Sequence, residues 1–312
     1  MAKWANHYSV SRMSRVLQVT KSAYYDWKQR GASVVGAEEF VLYSRMKALF
    51  AQSRESLGSR GMVRQLHREG HRIGRYRVRR LMKRLGLAVK IKRKYRVTTQ
   101  SRHDLPVAGN VLNREFTQAS PNQVWVADIT YVWTVQGWLY LAVVMDLCSR
   151  RIVGWCMDRT MTQALAIRAL MMAINLRRPP AGLLHHSDRG SQYAAEAYQT
   201  LLKQHGLRPS MSRKGNCWDN AVMERFFKSY KEEWIGDRVY HTREAALRDM
   251  HEYMKYYDGV RLHSTLGYRT PMEYENVKWS NHSGHPVKGI NYPNEVNNES
   301  RKTKPETIPK AV

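Results

Sequence analysis

The chain has 312 residues and 43% hydrophobic content, enough for two or three domains with at least one sizeable core. Lys and Arg outnumber Asp and Glu by 52 to 26, and residues 1–110 hold 25 basic against 6 acidic side chains, so most of the formal charge of +26 sits in the first third and asks for a polyanion partner. The longest apolar run, Leu139 to Met145, is far short of the roughly 20 residues that span a bilayer, the first thirty residues lack a signal-peptide core, and Cys148, Cys156 and Cys217 stand singly; these features argue against a membrane, secreted, zinc or redox protein, and a cytoplasmic one is expected.

The opening segment suggests two short helices, Ser9 to Leu17 and Lys21 to Arg30, with Thr20 or Ser22 capping the second and Gly31 ending it. Such a pair can bind DNA as a helix-turn-helix, or simply pack. Glu38 to Gln52 reads as a longer helix, with Phe40, Val41, Tyr43 or Ser44, Met46 or Lys47, and Phe50 near helical spacing. Gly61 to Arg68 and Arg75 to Leu85 then form a second helix-turn-helix candidate, in which Val78, Leu81, Met82 and Leu85 give the last helix one apolar face. From Arg72 to Arg96 there are twelve Lys or Arg and no acid. A single sign over that length repels itself unless phosphate neutralises it, so Arg75, Arg77, Arg79, Arg80, Lys83, Arg84, Lys92, Arg93 and Lys94 are expected DNA contacts, together with Arg60 and Arg64 at the helix before the run.

A stretch with Pro106, Gly109 and Pro121 reads as a linker over 98–120. Val124 to Val135 and Trp138 to Met145 then form a hairpin about a Gln136-Gly137 turn, and Arg151 to Met157 adds a third strand. Helix Thr162 to Asn175, strand Leu183 to Ser187, helix Ala194 to His205, strand Leu207 to Met211 and a long helix from Asn220 to Trp234 complete the order βββαβαβα. That order matches a ribonuclease H-like α/β core, a mixed five-stranded sheet with helices on its faces, preceded by small all-α helix-turn-helix-like domains. The expected division is 1–35, a helical pair; 36–97, a basic DNA-binding domain; 98–120, a linker; 121–278, the catalytic core; and 279–312, a disordered tail rich in Asn, Pro, Ser and Lys.

Three acids stand out within this order. Asp128 lies in the apolar strand WVADIT, where a charge is costly unless paired or metal-bound. Asp188 follows LLHHS, and Glu224 sits one turn into the last helix, whose stripe Val222, Phe226, Tyr230 and Trp234 should face the sheet. Counting roughly 100° per residue, Lys228 and Lys231 fall on the same polar side as Glu224. Carboxylates on one sheet edge can hold two Mg²⁺ ions about 4 Å apart to cut a phosphodiester. Asp146 and Asp158 read instead as turn or salt-bridge residues, with Arg150 or Arg159 as partners, Asp219 and Asn220 as helix caps, and His185 and His186 as strand-end packing or support for the second acid.

At these residues the chain resembles the DDE transposases of bacterial insertion sequences, a superfamily shared with retroviral integrases. It is most similar to the downstream-frame product (OrfB) of the group whose transposase arises by frameshift fusion of two frames. The motifs are WVADITYV with GWLYLAVVMDLCSRRIVGW, HHSDRGSQY, SMSRKGNCWDNAVMERFFKSYKEE and RLHSTLGYRTPMEY, with 35 residues between Asp188 and Glu224 and a basic residue, Lys231, seven places after the glutamate. Upstream, SRGMVRQLHREGHRIGRYRVRRLMKRLGL resembles the family's helix-turn-helix-like domain. Asp258 and Leu262 replace the family's Asn and Pro, and Gly58-Ser59-Arg60-Gly61 varies its usual turn.

The resemblance implies that Asp128, Asp188 and Glu224 are catalytic and bind two Mg²⁺ ions, for which Mn²⁺ substitutes, while Lys231 and Lys228 hold the DNA backbone. The activity implied is DNA strand cleavage at element ends and transfer of the freed 3′-hydroxyl to target DNA. The implied partners are terminal inverted repeats and target DNA, a second copy of the chain when assembled on DNA, and the upstream-frame (OrfA) product or the fused form, in a bacterial, nucleoid-associated setting. A ribonuclease H-like nuclease, or a DNA-binding regulator made from the downstream frame alone, are the alternatives.

Overall fold

The computed structural model describes residues 1–29, 36–89 and 105–283. Lys92, Arg93 and Lys94, the stop at Gly31, the first part of the expected linker and the tail from 284 onward lie outside the described residues. The chain divides into two units, one comprising Met1–Thr98 with Glu224–Tyr240, the other Thr99–Met223 with His241–Val312.

The first unit opens with α1 (Val10–Val16) and α2 (Lys21–Gln29). Ser9 accepts a bond from the Arg12 amide at 3.3 Å, and Thr20, one of the two expected caps, accepts from the Ala23 amide at 3.2 Å. Next come α3 (Ala37–Gln52), α4 (Ser59–Arg68) and α5 (Arg75–Arg84), around a core of Leu42, Tyr43, Met46, Leu49, Phe50, Met62, Leu66, Ile73, Val78, Leu81 and Met82. The face expected on α3 is corrected here. Phe40 and Val41 are exposed, and Leu42 and Leu49 take their place, because the 3.6-residue period runs through 42, 46 and 49 and a start two residues early turns the stripe towards solvent. The face expected on α5 is the buried one: Val78, Leu81 and Met82 are in the core and Leu85 packs against it.

Gly61 lies inside α4, where a Cβ would meet Leu57 Cδ1 at 2.6 Å, so the turn before the helix folds back tightly onto it. Arg45 of α3 clasps Glu69 with two bonds of 2.6 Å. Arg54, in the turn after α3, has its guanidinium 3.5 Å from the centroid of the Trp234 ring and donates to the Trp234 carbonyl at 3.4 Å.

The second unit is built on a five-stranded sheet of order β3-β2-β1-β4-β5. Its strands are β1 (Val124–Thr134), β2 (Gly137–Asp146), β3 (Ile152–Asp158), β4 (Leu184–Ser187) and β5 (Arg208–Met211). β1, β2 and β3 are antiparallel neighbours, and β4 and β5 join parallel. The hairpin turns at Gly137, whose φ of 104° suits glycine. On one face, α6 (Gln163–Arg177), α7 (Ser191–Ala194) and α8 (Glu196–Gln204) bury Trp125, Ala127, Ala142 and Val144. Gly154 lets α6 approach, because a Cβ there would overlap Ala169 O and stand 2.8 Å from the Ala173 amide. Trp155 meets His251 of α10 (Arg243–Gly259) edge-on, with ring centroids 5.9 Å apart.

Three helical expectations change in detail. The segment 194–205 is split at Ala195, which adopts extended backbone between α7 and α8. The long helix after Asn220 is a 3₁₀ turn, Cys217–Asn220, followed by α9 (Ala221–Ser229) and a π-helical turn, Tyr230–Ile235. The helices α10 and α11 (Pro271–Ser283) were not among the predicted elements.

α11 closes a buried charge network. Glu275, fully buried, accepts from Arg151 Nη1 at 2.7 Å, Arg177 Nη2 at 2.8 Å and Ser149 Oγ at 2.8 Å, so two segments distant from it in sequence converge on one carboxylate. Asp146, also fully buried, accepts from the amides of Asn122 at 2.7 Å and Ser149 at 2.9 Å, while Arg150 donates to the Phe116 carbonyl. Asp158 pairs with Arg168 rather than with the Arg159 side chain. The turn reading holds for Asp146 through the Ser149 amide, while the ion pair of Asp158 goes to Arg168 instead of its sequence neighbour.

Candidate active site

The parallel ladder between β1 and β4 ends with Ala127 paired to Ser187, so Asp128 and Asp188 each follow directly after the last pair, Asp128 within β1 and Asp188 in the loop that leaves β4. Such strands lie about 4.8 Å apart, and equivalent positions point to the same side of the sheet. Alternation along β1 commits Trp125 and Ala127 to the helical core and turns Asp128 to the other face, where it is half-buried. Its Oδ1 accepts the Ile129 amide at 2.8 Å.

Asp188 is the first residue after β4 and takes the Gly190 amide on Oδ1 at 2.9 Å. A Cβ at position 190 would stand 2.9 Å from Gln192 Oε1 and 3.0 Å from that oxygen, so glycine lets the loop close onto the carboxylate. Tyr193 follows on α7. Burial, then Tyr198 and the charges of Asp128 and Asp188, hold its hydroxyl well above the ordinary range, and among the described residues this buried oxygen has no hydrogen-bond partner.

His185 and His186 are buried and neutral. Burial lowers His185 to about 3, with its Nε2 3.1 Å from Tyr198 Oη, and lowers His186 to about 4, with its Nδ1 2.9 Å from Ser210 Oγ. They pack the strand end, as one of the two sequence readings held.

Asp219 and Asn220 are corrected. Instead of capping α9, buried Asp219 accepts from the Arg213 amide at 3.0 Å, Arg213 Nε at 2.9 Å, Arg114 Nε at 2.8 Å and Asn110 Nδ2 at 2.9 Å. The Arg213 guanidinium, against the cost of burial, holds this carboxyl well below the usual range. Asn220 Nδ2 donates to the Ala127 carbonyl at 3.2 Å, which ties the start of α9 to the residue before Asp128.

Glu224 stands on α9, at the boundary where the chain passes to the other unit. It is half-buried, and burial raises its carboxyl above the ordinary value. Of the stripe expected beside it, Phe226, Tyr230 and Trp234 are buried and Val222 is half-buried. Lys228 is exposed and pairs with Glu232 at 3.9 Å. Lys231 lies in the π-helical turn and is half-buried, so an α-helical count from Glu224 does not give its bearing.

The structure thus brings Asp128 and Asp188 together. Among the described residues no group of three His, Cys, Asp or Glu side chains converges to hold a metal ion. Arg60, Arg64, Arg75, Arg77, Arg79, Arg80, Lys83 and Arg84 are all exposed in the first unit. Arg84 also donates to Tyr43 Oη at 2.9 Å and lies 3.7 Å from Glu39, an engagement with α3 that its place in a charge run did not reveal. No helix among the described residues is long and apolar enough to cross a membrane.

Comparison with known proteins matches residues 118–217 and 205–271 to families described as "Integrase core domain", and residues 38–95 to an "HTH-like domain". The chain is 45% identical over 263 residues to the "Insertion element IS600 uncharacterized 31 kDa protein" of Shigella sonnei, covering 84% of this chain and 97% of that one. It is 39% identical over 272 residues to "Transposase InsF for insertion sequence IS3A" of Escherichia coli (strain K12), covering 86% and 94%. Among solved structures, the HTLV-2 integrase catalytic core domain in complex with magnesium aligns with a TM-score of 0.40 and 17% identity over 50% of this chain and 97% of that one.

Proposed function

The chain belongs to the transposases of bacterial insertion sequences that carry an integrase core domain, and from that premise we propose that Asp128, Asp188 and Glu224 are its catalytic, metal-holding acids. The positions of Asp128 and Asp188, each directly after the last β1–β4 pair, Ala127 with Ser187, carry this reading. Carboxylate oxygens are the hard donors that Mg²⁺ takes, with Mn²⁺ as a substitute, and few are needed because Mg²⁺ keeps part of its water. The unpartnered buried hydroxyl of Tyr193, which feels the charges of both aspartates, fits a polar guest beside them. A pair of such ions, when bound, activates the attacking oxygen and neutralises the phosphate it attacks.

The protein's own part is positional. The β1–β4 ladder fixes the spacing of the two aspartates, and Glu224, whose burial favours the neutral form, supplies the third carboxylate once a cation reverses that preference. Lys228 and Lys231 hold the DNA backbone, and the exposed arginines of α4 and α5 take phosphates of an element end. Water cleaves one phosphodiester there, leaving a 3′-hydroxyl and a 5′-phosphate, and that 3′-hydroxyl then attacks a phosphorus of target DNA in line, forming a new phosphodiester as the target's own 3′-oxygen leaves. The division into 36–97 for DNA binding and 121–278 for catalysis belongs to the same proposal, as do assembly with a second copy on DNA and cooperation with the upstream-frame product.

The test uses labelled terminal inverted-repeat DNA with Mg²⁺. The wild type should cut and join strands. Asp188→Asn should do neither, yet bind DNA as well or better, since a negative charge near phosphate is gone. Equal strand joining by the variant would overturn the assignment, and hydrolysis without joining by the wild type would favour a nuclease.

A further inference from the structure

Trp218 is 68% exposed, the most exposed of the tryptophans described, although the two residues that follow it are buried. It sits in the 3₁₀ turn Cys217–Asn220 that leads into α9. Asp219 anchors that turn through Arg213, Arg114 and Asn110, and Arg114 also reaches Asn216 Oδ1 at 2.8 Å. On the other side, Asn220 is bonded to the Ala127 carbonyl, next to Asp128. An isolated exposed tryptophan is ordinary on a protein surface. An indole in solvent on a turn pinned at both ends, beside a candidate catalytic acid, is better explained as a tool. Chain length alone keeps its Cα within about 7 Å of that of Asn220.

The surroundings say what the indole would meet. Arg213 and Arg114 are each more than two-fifths exposed beyond their bonds to Asp219, and Lys214 is exposed, so the turn presents cations around one large aromatic face. Cations serve phosphates, and the aromatic face serves a nucleobase. In an intact duplex both faces of every internal base are covered by its neighbours. An indole can therefore reach a base face only at a terminal or unpaired position.

We propose that Trp218 stacks on an unpaired nucleobase next to the phosphodiester held at Asp128 and Asp188, and so keeps the strands of an element end apart during cleavage. This rests on the reading of those acids as the site of cleavage. Base–aromatic stacking is worth about 5- to 150-fold, equivalent to 1–3 kcal/mol at 1.4 kcal/mol per tenfold.

The experiment uses the full chain with duplexes of the element's own terminal repeat, carrying 2-aminopurine at successive positions around the cleaved phosphate. Each duplex is made fully paired and with two bases at that position left unpaired. Trp218→Ala should lose the change in 2-aminopurine fluorescence seen at one position with the wild type and cut the paired end about 5- to 150-fold more slowly. It should recover much of that loss on the pre-opened end, where no strand separation is needed. Trp218→Phe, which keeps an aromatic face, should stay within a few-fold of wild type. Unchanged fluorescence in Trp218→Ala, or an equal loss of rate on both ends, overturns the proposal. Asp188→Asn separates the two readings: it should be inactive on both ends and still give the fluorescence change. If Asp188→Asn cuts DNA, the acid assignment fails, while the fluorescence signal of Trp218 is judged by itself.

Discussion

Replacing Glu275 by Gln keeps the shape of the side chain and removes a carboxylate that both Arg151 and Arg177 touch. The three groups are almost fully buried, with side-chain exposures of 0%, 1% and 4%. Breaking a buried pair costs about 3–5 kcal/mol, since the charge left behind has no water to turn to. Two stranded guanidiniums favour the upper half of that range, while the nearby charge of Asp146 holds it down. In a domain of this size each kcal/mol moves the melting temperature by about 2–4 °C, so a fall of roughly 6–20 °C is expected. Urea and thermal unfolding of the full chain measure it. Arg45→Ala, which breaks the half-exposed clasp to Glu69, is the control and should cost no more than about 1 kcal/mol. A loss below about 1 kcal/mol for Glu275→Gln would refute the view that this network holds α11 in place. Acid titration adds a second check. Burial alone would raise the Glu275 carboxyl, but Arg177 and Arg151 outweigh it and hold the folded-state value below the unfolded one. Its stabilising contribution is therefore present above the unfolded value near 4.5 and is lost as pH falls through the folded one, a limb that Glu275→Gln should flatten.

Two further outcomes concern charge. Neutralising Arg75, Arg77 and Arg79 together should reduce the slope of log affinity against log salt by roughly one unit per lost phosphate contact, and an unchanged slope would mean that these exposed side chains are merely solvated. Burial lowers His185 and His263 to about 3 each in the folded protein, so the unfolded chain binds protons that the folded chain refuses. Stability should fall as pH drops below about 6.5, by about 2 kcal/mol per histidine at pH 5. Urea midpoints at pH 7.5 and 5.0 check this, and His185→Gln should shrink the difference.

What could be read from the residues, and what could not, follows from the range of the interactions. β1 and β2 were legible because alternating or continuous apolar runs are local signals, and Gln136-Gly137 marks its own turn. Asp128 stood out because an ionised group in an apolar strand contradicts its neighbours. Asp219 misled because an Asp-Asn pair before a helix looks like a cap, while its carboxylate is taken by Arg213, six residues back, and by Arg114, 105 residues away. Glu275 passed unnoticed for the same reason: nothing near it in sequence hints at Arg151 or Arg177. The π-helical turn at Lys231 was equally invisible, since the residues of that segment suit a continuous α-helix.

The β1–β4 ladder also separates what can change in this protein from what cannot. Because the residues just before Asp128 and Asp188 are paired between strands, the long stretch of chain between the two acids does not set their spacing. Its exposed connection at Pro180–Ala181, between α6 and β4, could lengthen or accept an inserted domain without altering the distance between the acids. The ladder itself allows no such freedom. A single-residue slip of β4 would turn Asp188 to the opposite face of the sheet. Evolution and the protein engineer therefore meet the same asymmetry, with wide tolerance in the connections and none in the register.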